Sequence, residues 1–177
     1  MIVNRLALTM IASGVFFLPP QYLPIYGGTG GTSYTRSCGA GKVLTGFTFR
    51  SGMMIDAIGV MCRPVAANGT LGPQSAGVLV GGGGGNIGNV FCETGKVVTG
   101  LRILYGSWVN ELKFTCRTWN ASTRKFSGTA TVFRVGPNAL PDKVGDEVCE
   151  SDTQPGNAIR GKAANVIDSI GLTCDEP

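Results

Sequence analysis

Cys38-GAGKVLTGFTFRSGMMIDAIGVM-Cys62 and Cys92-ETGKVVTGLRILYGSWVNELKFT-Cys116 are the two stretches that decide the fold. In register, the two brackets share Cys, Gly, Lys, Val, Thr, Gly, Gly and Cys at matching positions. A third bracket, Cys149 to Cys174, keeps both ends and is looser in the middle. The spacings are 24, 24 and 25 residues. Self-similarity at a fixed period means that one supersecondary unit was copied and that the copies share a core.

Each bracket reads as strand, turn, strand. Val43 to Phe49 alternates, Ser51-Gly52 turns the chain, and Ile58, Val60 and Cys62 share one face of the returning strand. Leu112, Phe114 and Cys116 repeat that face in the second bracket, and Ile170, Leu172 and Cys174 in the third. The intervening segments are long enough for a further hairpin, as at Thr129 to Val135, so each unit is expected to make a four-stranded sheet. Three such sheets packing their apolar faces together give a three-sided, all-β prism. Repeat logic selects within-bracket disulfides: Cys38 with Cys62, Cys92 with Cys116, Cys149 with Cys174. A zinc site is a poor alternative, because the chain has no His and no closely spaced cysteine pair. No metal or cofactor is expected.

The rest of the composition agrees. Of 177 residues 28 are Gly and only 15% are charged, a turn-rich β balance. The net charge of +4 is carried by scattered cations such as Arg36, Lys42, Arg50, Arg63, Lys96 and Arg102. They form no basic stripe interleaved with aromatics, so no nucleic-acid partner is expected. Residues 1–25 open with Arg5 and an apolar run from Leu6 to Leu18, the pattern of a signal peptide or an N-terminal anchor. That run is short for a membrane span of about 20 residues. The remainder, 26–177, reads as one domain with repeats at about 27–75, 76–130 and 131–177. With its disulfides the chain is expected to be secreted or at a cell or virion surface.

Two motifs occur together: the glycine loop GGTGGTSY at Gly27 to Tyr34, and the turn G-x-x-x-D at Gly52-Met-Met-Ile-Asp56, followed by the apolar AIGV. In this the sequence resembles the jacalin-type, β-prism lectins, in pattern rather than close match over about residues 26 to 175. The resemblance implies a β-prism of three four-stranded Greek-key sheets with pseudo-threefold symmetry. It also implies carbohydrate binding, in which loop amides and the Asp carboxylate hold adjacent hydroxyls of one sugar. An ionised carboxylate only accepts, which suits two hydroxyls, and glycines let the main chain come close.

On this resemblance the candidate binding residues are Gly27, Gly28, Gly30, Gly31, Gly52, Asp56, Gly83, Gly84, Gly85 and Asp168. Asp56 is expected to serve with the Gly81 to Gly85 loop, and Asp168 to close the circle with Gly27 to Gly31. Gly106, Trp108 and Asn110 form a weaker third turn: Asn lacks the charge that strengthens such bonds, and the loop it would face is poor in glycine. In the third bracket Ala164 stands where Gly would. Two plainer readings stay open. The turn carboxylates can cap their own turns, and Trp108 can be an apolar anchor rather than a stacking surface.

Catalysis is not expected. A Ser or Cys nucleophile lacks its commonest base without His, the six cysteines are claimed by disulfides, and the acidic residues Asp142, Asp146, Glu147, Glu150 and Asp152 cluster in what reads as a solvated loop. The sequence thus points to a lectin-like protein whose partners are glycans or glycoproteins, with adhesion as its use where it is held at a surface. A homo-oligomer or larger surface assembly is compatible with it. The alternative is a non-catalytic coat, virion or pilus module, a rigid prism of the kind that vitelline-membrane outer-layer proteins resemble. Two sequons, Asn68-Gly-Thr70 and Asn120-Ala-Ser122, do not discriminate between these readings.

Overall fold

The computed structural model describes residues 9–10, 16–137 and 143–177. Among them are sixteen strands and no helix. Strands β1 (Thr9–Met10) and β2 (Phe16–Phe17) pair only with each other. Then follow β3 (Gln21–Tyr22), β4 (Tyr26–Gly27), β5 (Thr32–Ser37), β6 (Lys42–Ser51), β7 (Ile55–Pro64), β8 (Ser75–Ala76), β9 (Val80–Gly81) and β10 (Asn86–Phe91). The remainder are β11 (Lys96–Tyr105), β12 (Val109–Asn120), β13 (Lys125–Val135), β14 (Lys143–Val148), β15 (Gly156–Ala163) and β16 (Ile167–Cys174). Residues 1–8 and 11–15, most of the segment read as signal peptide or anchor, lie outside the described residues.

Three antiparallel sheets result, each with four strand positions. The middle of each is the hairpin between the two cysteines of one bracket: β6–β7, β11–β12 and β15–β16. The first sheet runs β10, β6, β7, with β8 and β9 sharing the fourth place. The second runs β14, β11, β12, β13, and the third β5, β15, β16, with β3 and β4 sharing the last place. Alternation decides which face turns inward. Phe47 and Ile58 of the first sheet, Ile103 and Phe114 of the second, and Ile159 and Ile170 of the third are fully buried. Phe114 meets Phe47 edge-on at 5.1 Å, joining the first two sheets, and stacks on its cross-strand neighbour Phe133 at 5.5 Å. Each such side chain contributes about 1.5–3 kcal/mol by leaving water.

The sheets are offset from the repeats, because the strand that precedes each bracket pairs backward onto the sheet before it. β10 precedes Cys92 but lies on β6, β14 precedes Cys149 but lies on β11, and β5 precedes Cys38 but lies on β15. The crossing is fixed the same way three times. The first hairpin strand of each sheet carries a bulge at Thr45, Thr99 or Asn157. The bulge carbonyl accepts the N–H of the cysteine that opens the next bracket: Cys92 at 2.7 Å, Cys149 at 2.9 Å and Cys38 at 2.9 Å. Those cysteines are disulfide-bonded within their brackets, Cys38–Cys62, Cys92–Cys116 and Cys149–Cys174. Each closed loop is worth roughly 3 kcal/mol in the chain-entropy picture.

The third sheet is closed by the two ends of the chain. Gln21 and Tyr22 pair with Cys174 and Thr173, and Tyr26 and Gly27 with Ile170 and Ser169. Residues 18–25 are therefore integrated into the folded body. The buried Gln154 amide donates to the carbonyls of Leu18 and Pro19, at 3.4 and 2.8 Å, and the Arg160 guanidinium holds the Leu23 carbonyl and lies over the Tyr22 ring.

The late acidic segment differs from the solvated loop its composition suggests. Lys143–Val148 is strand β14, in which Asp146 faces out and Glu147 is 4% exposed. Alternation alone places the two on opposite faces. The Glu147 carboxylate accepts the Leu172 N–H at 2.8 Å: Leu23 across the sheet donates its own N–H to the Leu172 carbonyl, but its carbonyl is held by Arg160. Burial pushes the Glu147 carboxyl up to about 8, against the pull of the Leu172 amide and Arg160. Asp142 lies outside the described residues.

Candidate functional site

The hairpin tips carry the three turns singled out from the sequence. In each, the first N–H donates to the third carbonyl: Gly52 to Met54 at 3.1 Å, Gly106 to Trp108 at 3.0 Å, Ala164 to Val166 at 3.0 Å. The three are one turn. Neither Gly52 nor Gly106 has a positive φ, so Ala164 fits the same position.

Beside two of these turns lies a glycine loop. The Gly82 N–H donates to the Asp56 carbonyl at 2.9 Å, and the Gly28 N–H to the Asp168 carbonyl at 2.8 Å. The loops then press on the carboxylates. A Cβ on Gly84 would stand 2.7 Å from Asp56 Oδ1 and one on Gly85 2.5 Å from Asp56 Oδ2. On Gly30 and Gly31 the distances are 2.7 and 2.5 Å to Asp168 Oδ1 and Oδ2. Gly85 and Gly31 also have φ of 63° and 70°, which adds backbone strain to any substitution there. Gly52 is a looser neighbour, 3.7 Å from Asp56 by the same measure, and Gly83 faces open space.

Asp168 is buried at 6% exposure and Asp56 is half-buried. The Oδ2 atom of each is buried and has no hydrogen-bond partner. An unmatched buried carboxylate oxygen is costly, at least about 1–3 kcal/mol.

Each loop also touches the turn of another sheet. A Cβ on Gly28 would fall 2.0 Å from the Ser107 carbonyl, and one on Gly82 2.2 Å from the Asn165 carbonyl. The Gly27–Gly31 loop therefore lies between the Asp168 turn and the turn holding Trp108, which is 44% exposed. The Gly81–Gly85 loop lies between the Asp56 turn and Asn165. The hairpin tips and both loops gather at one end of the prism.

The third position is different. Gly136, with φ of 91°, stands over Asn110 as Gly27 and Gly81 stand over their aspartates, and a Cβ there would be 3.0 Å from the Asn110 carbonyl. Pro137 follows, and residues 138–142 lie outside the described residues.

Reading the sequence by motif passed over two cations. Arg50 donates from Nη1 to the carbonyls of Gly83 and Gly85, at 3.3 and 3.2 Å. Lys162 donates from Nζ to the Thr29 carbonyl at 3.1 Å. Each stands six residues before its aspartate, and Leu104 stands six before Asn110. That spacing was the available signal. Among the described residues no group of His, Cys, Asp and Glu is arranged to hold a metal ion.

No family model matches the sequence, and no curated protein sequence matches it significantly. Solved structures do match it. The Malaysian banana lectin superposes with a TM-score of 0.60 at 17% identity, covering 90% of this chain and 100% of its own. A mannose-binding jacalin-related lectin from Ananas comosus gives 0.61 at 21% identity, covering 89% and 99%. Frutapin, a lectin from Artocarpus incisa, gives 0.59 at 15%, covering 88% and 96%. The chain has the β-prism fold of the jacalin-related lectins.

Proposed function

We propose that this chain is a non-catalytic, lectin-like protein that binds carbohydrate at two sites. One is Asp56 with Gly52 and Gly83 to Gly85, and the other is Asp168 with Gly27, Gly28, Gly30 and Gly31. One observation carries the reading: in both units a turn carboxylate with a buried, unpartnered oxygen lies against glycines that leave room for nothing but backbone. An acceptor-only group beside close main chain suits neighbouring sugar hydroxyls and needs no metal. Asn110, with Gly106 and Trp108, is a degenerate third position. Trp108, exposed in the turn whose Ser107 meets Gly28, is a candidate aromatic surface for the Asp168 site.

Two shallow sites at one end of a rigid prism act together on a multivalent surface, where linkage raises avidity without new contacts. Glycans or glycoproteins on a surface are the partners this geometry suits, and adhesion to them is the use. Three disulfides support an oxidising setting, and a secreted or surface location is part of this reading.

Glycan-array binding followed by calorimetric titration tests the proposal, with mannose-type hexosides as first probes because the pineapple protein of the same fold is described as mannose binding. The expected result is two sites per chain, with Asp56→Ala and Asp168→Ala each removing one. A parent protein that holds no glycan on the array would leave the rigid-module reading in its place.

A further inference from the structure

We propose that Arg50 and Lys162 are positioning residues that hold the two glycine loops in their ligand-ready form; this rests on the sugar-binding reading above. The two loops are equivalent residue by residue, Gly27 to Gly31 with Gly81 to Gly85. Thr29 and Gly83 then occupy the same third place, and it is their carbonyls that Lys162 and Arg50 hold. The two cations are equivalent as well. Arg50 pairs across its hairpin with Ala57 and Lys162 with Ser169, in each case the residue after the site aspartate. Leu104 pairs with Glu111, the residue after Asn110. The cation is present in the two units that have Asp and a glycine loop, and absent from the unit that has neither.

Its effect follows from the peptide group. C=O and N–H point in opposite directions across a trans peptide. Fixing the Gly83 carbonyl on Arg50 therefore turns the Gly84 N–H away from the guanidinium, and fixing the Thr29 carbonyl on Lys162 does the same for Gly30. Gly84 and Gly30 are the residues set against the Oδ1 atoms of Asp56 and Asp168. A charged donor on the carbonyl also polarises the peptide and strengthens its N–H as a donor. The two cations differ in a way that matches their loops. Five consecutive glycines have wide conformational freedom, and the Arg50 Nη1, with two N–H groups, takes two of their carbonyls. The loop containing Thr29 is stiffer, and one ammonium contact suffices.

The test isolates one site at a time. In an Asp168→Ala background, sugar titration reads the Asp56 site alone, and Arg50→Met there is expected to weaken it at least tenfold, while Arg50→Lys recovers part of the loss. Lys162→Met in an Asp56→Ala background should do the same to the other site. Amide exchange at Gly84 should speed up in Arg50→Met while that of β6 and β7 stays as in the parent, separating loop release from unfolding. Unchanged affinity in Arg50→Met overturns the positioning role and leaves the sugar-binding reading standing. Equal weakening of both sites by Arg50→Met, measured in the otherwise intact chain, overturns it too, by showing a global effect. A parent that binds no sugar overturns both.

Discussion

The two proposed sites, at Asp56 and Asp168, share their parts and differ in how the chain assembles them. The first is nearly local: its turn, carboxylate and glycine loop all fall between Gly52 and Gly85, on consecutive strands of one sheet. The second takes its loop from Gly27–Gly31 and its carboxylate from residue 168, so it exists only because the N-terminal strands close onto the C-terminal hairpin. Equal geometry at the two sites therefore rests on unequal support. The first depends on its own sheet and loop, whereas the second depends also on residues 18–27 staying docked.

Truncation breaks the comparison most forcefully. Removing residues 1–25 deletes β3 and leaves the buried Gln154 amide and the Arg160 guanidinium without the carbonyls of Leu18, Pro19 and Leu23. Stranded buried polar groups cost about 1–3 kcal/mol each. A loss of about 4 kcal/mol is expected, or roughly 10 °C in melting temperature for a chain of this size. Amide exchange should rise in β15 and β16 and stay low in β6 and β7, and sugar stoichiometry should fall from two to one. Removing only residues 1–17 should leave both sites. If the shorter chain melts like the parent, the docked segment is ornamental and the asymmetry between the sites disappears.

Much of the architecture was readable because period and alternation are written into each bracket: Ile58, Val60 and Cys62 on one face, and cysteine spacings of 24, 24 and 25. The offset between sheet and repeat was not readable, because alternation says which face is buried and not which neighbour a strand pairs with. Val90, Glu147 and Arg36 hold the same place, two before an opening cysteine, yet meet different surroundings; composition made Glu147 look solvated, and its acceptor role toward Leu172, whose strand partner Leu23 gives its carbonyl to Arg160, belongs to the packed structure. Arg50 read as one scattered cation among several, since its partners lie more than 30 residues away. The turn aspartates were legible as motif, and their loops by topology; that their Oδ2 atoms are left unmatched is a property of the packed structure alone.

The glycine positions sharpen the contrast at smaller cost. Valine at position 82 or 28 must push against the Asn165 or Ser107 carbonyl, and about 1–3 kcal/mol should be lost in chemical denaturation, a typical overpacking cost. Gly83→Ala should stay within about 0.5 kcal/mol, because nothing stands within 4 Å and the equivalent residue is already Thr29. A Gly83→Ala chain as unstable as Gly82→Val would mean that the loops are not equivalent.

Glu147 offers a test by pH at the joint that only the third sheet possesses. Its folded-state value, about 8, lies above the ordinary 4.5, so the folded protein holds a proton that the unfolded chain releases. Its contribution to stability is therefore complete below about pH 4.5 and declines as pH rises to about 8. Glu147→Gln removes the titration and keeps an oxygen for the Leu172 N–H. Melting temperatures of parent and variant should be close at pH 5, with the variant higher at pH 9. The same or larger gap at pH 5 would show that the carboxylate is ionised throughout.

The smallest effect is expected at the degenerate third turn, and it says most about what makes a site. Asn110→Asp restores the carboxylate and Leu104→Lys the cation, each in its pseudo-equivalent place. Asn and Asp are nearly isosteric and Asn110 is half-buried, so Asn110→Asp alone should move stability by at most about 1 kcal/mol, whereas Leu104 is 6% exposed and Leu104→Lys adds the cost of setting an ammonium at a buried position. No third sugar equivalent should appear in titration, because Gly136 is followed by Pro137, which supplies no N–H where Gly82 and Gly28 supply one to their aspartate carbonyls. If a third equivalent does appear, carboxylate and cation are enough to make a site, and the close glycine main chain at Gly84 and Gly30 is dispensable. If none appears until Pro137→Gly is added, the loop amide is the limiting part, and the second unit lost its site in the loop rather than in the turn.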